Sequence, residues 1–187
     1  GDVYKRQVYT KQFGKAAYIT KINAQLMRDL GSIPSPMNCF ILNLGLESLV
    51  LRVERHCYNA QKTAEYLEAH PLVGKVNYPG LPGDKYYELA QKYMPKGTCG
   101  VISFELKAGR EAAVKFMDSL KLASIVTHVA DAKTSVLHPA SHTHRQLNDE
   151  QLVAAGVSPG MIRLSVGIEH IDDILADLEQ ALEASEQ

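Results

Sequence analysis

Helical spacing over about the first 70 residues, then strands alternating with helices, predicts a compact α+β domain entered through a long helix. Two observations carry this expectation. Apolar residues between 14 and 70 recur every three or four positions, and period-two stretches first appear after residue 72. A third sets the scale: 187 residues, 45% hydrophobic content and a net charge of −1 suit one large or two small domains with a real core.

Each element has its own signal. In GKAAYITKINAQLMRDL, residues 14–30, Ile19, Ile22, Leu26 and Leu30 share a helical face, and Gly31 stops the run. Ser35 before Pro36 reads as an N-cap with proline at the first helical position, opening a second helix that meets Gly45. A longer helix continues through LESLVLRVERHCYNAQKTAEYLEAH. Its stripe of Leu46, Leu49, Val50, Val53, Cys57, Ala60, Ala64 and Leu67 ends before Pro71. LVGKVNYPGLPGD is a short strand and a glycine- and proline-rich turn, with Asp84 placed to cap KYYELAQKYM. GVISFELK alternates Ile102, Phe104 and Leu106 against Ser103, Glu105 and Lys107, as a half-buried strand does. REAAVKFMDSL is a helix, ASIVTHVA a strand, and NDEQLVAAG a short helix between Asn148 and Gly156. MIRLSVG is a strand, and HIDDILADLEQAL a last helix with Ile171, Ile174, Leu175, Leu178 and Leu182 aligned.

Composition removes several function classes. No basic excess points to nucleic acid, and no long uncharged apolar run points to a membrane span. Cys39, Cys57 and Cys99 form neither a short-spaced metal pair nor a disulfide set, which suits a reducing, cytoplasmic setting. Cys39 and Cys57 sit in apolar helical patterns and are expected to be small core residues. The polar GDVYKRQ at residues 1–7 reads as a tag or assembly scar rather than a secretory signal.

The run MIRLSVGIE holds the most informative residue. Ile162, Leu164, Val166 and Ile168 take the core face, and Met161, Arg163, Ser165 and Gly167 the other, where the small Ser165 and Gly167 are expected to leave open space. A guanidinium is always charged and offers a flat fork of donors that grips a carboxylate or phosphate. The alternative is an ion pair with Glu169 or the carboxylates of HIDD. His138, His142 and His144, with His128 upstream, suggest zinc, but Pro139 interrupts them and no local acid or cysteine completes a tetrahedral set. There is no G-x-S-x-G elbow, P-loop or G-x-G-x-x-G, and no lysine is marked by spacing as a Schiff-base amine.

Four segments carry a resemblance: SPMNCFILNLGLESLVLRVERHCYNAQKTAEYL, VNYPGL with KYYELAQKYMPKG, DSLKLASIVTHVADAKTSVLHPASHTH, and GMIRLSVGIEHIDDILADLEQAL. Together they closely resemble the Cys/Met-metabolism family of pyridoxal-phosphate enzymes, within it the O-acetylhomoserine sulfhydrylase branch, from about Val8 to the C-terminus. The resemblance implies an α/β fold of the aspartate-aminotransferase type (fold type I). Residues 1–7 would be a leader outside the family, 8–70 the last helices of the large cofactor domain and the inter-domain helix, and 71–187 the C-terminal small α+β domain.

By the same match, Arg163 binds the α-carboxylate of the amino-acid substrate, and THVADAK frames it. His128, a candidate substrate-binding residue, stands where relatives often have asparagine or serine, and Ala130 where they commonly have glycine. No cofactor-binding, metal-binding or proton-transferring residue is assigned here. The family's covalent lysine lies in an S-x-T-K motif, which neither Thr10-Lys11 nor Thr20-Lys21 forms. The chain is therefore expected to be a C-terminal fragment, inactive alone, of a homotetrameric, pyridoxal-phosphate-dependent transferase. That enzyme would replace the acetate of O-acetylhomoserine with sulfide or methanethiol, giving homocysteine or methionine. Alternatives are a methionine γ-lyase, a cystathionine γ-synthase, or a stand-alone module for small carboxylates. The helical edge over residues 14–67 is expected to lack packing partners and to favour association.

Overall fold

The computed structural model describes residues 3–4 and 7–186. The 1–7 leader therefore lies partly outside the described residues. The chain divides into two compact units, residues 1–47 and 48–187. The division falls between Glu47 and Ser48, well ahead of the change of sequence pattern near residue 70. The physical reason is that Ala60, Ala64 and Leu67 of the long helix are fully buried at 0% exposure, so the helix belongs to the sheet's core.

In the first unit β1 (Val3–Tyr4) and β2 (Gln7–Val8) pair antiparallel. A helical run of mixed pitch follows: α1 (Tyr9–Phe13), a 3-10 turn (Gly14–Ala16), α2 (Ala17–Lys21), a π turn (Ile22–Leu26) and α3 (Met27–Leu30). It ends where Gly31 takes φ +64°, a left-handed conformation that costs glycine little. α4 (Pro36–Glu47) is capped as expected: Ser35 Oγ accepts from the Asn38 backbone N–H at 3.2 Å. None of its residues is buried, although Met37, Phe40, Ile41, Leu42, Leu44 and Leu46 make it apolar on every side. Cys39 is exposed with them, not a core residue.

The second unit begins with α5 (Leu49–Ala69) and continues through β3 (Val73–Asn77), α6 (Tyr87–Tyr93), β4 (Val101–Leu106) and α7 (Gly109–Ser119). Then come β5 (Ser124–Ile125), β6 (Ser135–Leu137), α8 (Asp149–Ala154), β7 (Met161–Ser165) and α9 (Ile171–Ser185). The sheet has five strands in the order β3-β4-β7-β6-β5, antiparallel except for the parallel β5–β6 pair. α5, α7 and α9 cover one face. Ile102, Phe104, Ile162 and Leu164 point into that core, and the Phe104 and Phe116 rings meet edge to face at 5.7 Å.

The strand expected over ASIVTHVA shrinks to Ser124–Ile125, and β6, to which the sequence reading assigns no element, pairs with β7. The connection between α7 and β5 is fixed by a carboxylate. Asp177 of α9, 7% exposed, accepts from the backbone N–H groups of Lys121, Leu122 and Ala123 at 2.8, 3.0 and 2.9 Å.

Candidate carboxylate-binding site

β7 places Arg163 on the face opposite the helices, directly across from Ser103 on β4 and Leu137 on β6. Its Nη2 donates to the backbone carbonyls of Thr127 and His128 at 2.9 and 3.4 Å, while Nε is buried without a partner. Among the described residues no carboxylate stands within ion-pair distance of this guanidinium. The alternative acid pair is therefore absent. Glu169 turns instead to Thr134, accepting from its backbone N–H at 2.6 Å and its hydroxyl at 2.8 Å. Asp172 lies at the exposed start of α9, 3.6 Å from His170.

The expectation of open space around Arg163 is corrected. Ser165 is buried, and its hydroxyl accepts from the Ala130 N–H at 3.1 Å. Gly167 is packed so tightly that an added Cβ would lie 2.5 Å from both Ala132 O and Thr134 N. These small residues let the 126–134 segment lie on β7 and its following turn. Ala130 takes φ +60°, the left-handed region in which a glycine would carry no penalty.

His128 reaches the site through its backbone. Its carbonyl accepts from Arg163 and from Ser135 Oγ (3.2 Å), while its ring is exposed with Nδ1 3.5 Å from Asp131. The Lys133 backbone N–H is the main influence holding the Asp131 carboxyl below its usual range, with His128 contributing. His138 is buried and internally satisfied. Nε2 donates to Pro159 O at 2.8 Å and Nδ1 accepts from Ser141 Oγ at 2.8 Å. Burial pushes its pKa down, favouring the neutral ring. Both nitrogens are thus committed to protein partners, and among the described residues no three His, Cys, Asp or Glu side chains converge on a possible metal position.

Sequence reasoning missed the grip on the turn after β7. His56 Nδ1 donates to Val166 O at 2.6 Å, and Asn59 Nδ2 donates to Gly167 O and Glu169 O, each at 2.9 Å. The signal was present as polar residues on the buried side of an amphipathic helix, a placement that demands partners. A covalent cofactor lysine needs a desolvated cleft. Every described lysine from Lys62 to Lys133 is exposed.

The architecture is an α/β fold shared with solved pyridoxal-phosphate enzymes of fold type I. A structure described as a putative O-acetylhomoserine (thiol)-lyase from Campylobacter jejuni, which carries N'-pyridoxyl-lysine-5'-monophosphate, matches with a TM-score of 0.82 and 39% identity over 92% of this chain and 41% of its own. O-acetylhomoserine sulfhydrylase from Wolinella succinogenes matches with a TM-score of 0.75 and 36% identity over 93% of this chain and 46% of its own. The chain belongs to the Cys/Met metabolism family of PLP-dependent enzymes, whose pattern matches residues 8–183.

Among named relatives, O-acetyl-L-homoserine sulfhydrylase of Leptospira meyeri is 51% identical over 89% of this chain and 38% of its own length. Homocysteine synthase of Schizosaccharomyces pombe is 48% identical over 97% of this chain and 42% of its own. The chain thus spans about two-fifths of the length of these relatives. No helix among the described residues is long and apolar enough to cross a membrane.

Proposed function

We propose that this chain is the C-terminal part of an O-acetylhomoserine sulfhydrylase and that Arg163 anchors the α-carboxylate of the amino-acid substrate. One observation carries the reading: a strand-borne guanidinium has one nitrogen tethered to carbonyls and no described carboxylate to neutralise it. Holding the acid end of the substrate in a fixed fork orients its Cα for proton removal and lowers the entropy cost of the reaction. The Thr127–Lys133 segment frames the same group, with His128 contributing its backbone. Pyridoxal phosphate, held by the rest of the longer protein, would supply the electron sink. Arg163 binds and orients; it moves no proton. Kinship with sulfhydrylases favours sulfide or methanethiol as the second substrate, and a homotetrameric, cytoplasmic enzyme is the form proposed. It does not favour a stand-alone binding module.

The test is Arg163→Lys in the full-length enzyme. Losing the fork is expected to raise KM for O-acetyl-L-homoserine by about 30-fold or more, as for a truncated hydrogen-bonded charge pair. An unchanged KM refutes the assignment.

A further inference from the structure

We propose that Glu169 and Thr134 are positioning residues. Their latch holds the 126–134 segment in the shape that presents the Thr127 and His128 carbonyls to Arg163, and thereby sets where the guanidinium points. The inference builds on the reading of Arg163 as a carboxylate anchor.

The segment cannot hold this shape by itself. It contains no helix or strand, residues 125–133 are exposed, and Ala130 sits at φ +60°, a conformation disfavoured for any residue with a Cβ. Its anchors lie on β6, on β7 and on the turn after β7, and they include Ser135 Oγ, which donates to His128 O at 3.2 Å. Val126 N donates to Val136 O at 3.2 Å, Ala130 N to Ser165 Oγ at 3.1 Å, and Ile168 N to Ala132 O at 2.9 Å. Glu169 supplies the charged anchor through the two bonds to Thr134, and the Thr134 hydroxyl in turn accepts from Gly167 N at 2.9 Å.

The far side of the latch is rigid. Val166, Gly167 and Glu169 all offer their carbonyls to His56 or Asn59 of α5, and Val166 N donates to Gly100 O at 2.8 Å. The Glu169 carboxylate therefore adds a charged link between the arginine segment and a turn held by a buried helix, beside the backbone and hydroxyl bonds to Ala130, Ala132 and Thr134. The same commitment keeps that carboxylate, six residues along the chain from Arg163, out of an ion pair with it. Holding the segment and leaving the cation available are one act of Glu169.

The 187-residue chain permits a direct test by timed phenylglyoxal modification, read arginine by arginine by mass spectrometry. Phenylglyoxal bridges two guanidinium nitrogens, so a tethered Nη2 slows it. Thr134→Val and Glu169→Gln are each expected to speed Arg163 modification about threefold or more, the scale of one lost hydrogen bond. Thr134→Ser keeps the hydroxyl and is expected to retain the wild-type rate. Arg52, Arg110 and Arg145 report on the rest of the chain. An Arg163 rate unchanged in both disruptive variants, or one that rises in step with the other arginines, overturns the latch. A Thr134→Ser variant as fast as Thr134→Val does the same. Sodium acetate is added to wild type in a separate arm: lack of protection of Arg163 counts against the carboxylate anchor and leaves the latch standing.

Discussion

Replacing Gly167 with alanine adds one methyl group where the fold has no room. The new Cβ would lie 2.2 Å from Glu169 Oε2, 2.5 Å from Ala132 O and 2.5 Å from Thr134 N. Carbon needs at least about 3 Å from such atoms, so a carboxylate and two backbone groups must all retreat. The carboxylate can swing away, but then Thr134 loses both bonds to Glu169, each to an ionised acceptor. Overpacking costs about 1–3 kcal/mol, and the disrupted charged hydrogen bonds about 1.5–3 kcal/mol more. Together these give about 2.5–6 kcal/mol, a fall of roughly 5–24 °C in the melting midpoint for a chain of this size. Gly83→Ala is the control, because its Cβ would meet only Glu68 Oε1 at 3.9 Å. Thermal unfolding by circular dichroism decides the matter. A Gly167→Ala midpoint within 2 °C of wild type would show that the turn yields freely and that the latch geometry is not fixed.

Asp177→Ala leaves the Lys121, Leu122 and Ala123 N–H groups without their acceptor and is expected to cost about 3–5 kcal/mol in urea unfolding, with Asp177→Asn less severe. His138 has its pKa lowered by burial, so in the window below its ordinary value of 6.5 the unfolded chain binds more protons than the folded one. Its contribution is fully present above pH 6.5 and is lost as pH falls through the depressed folded value; the urea midpoint is expected to drop from pH 7.5 to 5.5, and His138→Gln to reduce that drop. Phe40, Leu42, Leu46, Val50, Leu51 and Val53 are all exposed, so the chain is expected to self-associate, and Leu51→Glu to weaken this; sedimentation showing a monomer at 100 µM or so contradicts it.

Periodicity made most of the fold legible. The helices α5, α7 and α9 and the β4 and β7 strands announce themselves through contacts with one core, which spacing encodes directly. Gly31, Ser35 and Asn148 marked their boundaries, and Asn148 proved to form a reciprocal cap with Gln151. β6 escaped because three fully buried residues carry no alternation, and β5 was overextended because an apolar loop has the composition of a strand. Of the site, Arg163 stood out as a charge within an apolar run. Its surroundings did not. Whether Glu169 faces Arg163 or Thr134, and whether Gly167 opens space or closes it, depends on a segment folded back from some 35 residues away. No local pattern contains that information.

The parallel pairing of β5 with β6 has a topological consequence. Two neighbouring strands that run the same way oblige the chain to travel back along their length, and here residues 126–134 make the whole return without a helix. So short a return leaves little slack and must cross the arginine-bearing surface. The length of that bridge is consequently fixed, and within it Thr134 and the left-handed Ala130 are held to their places. Sequence changes within it offer a way to retune what is admitted beside the cation without rebuilding the sheet beneath.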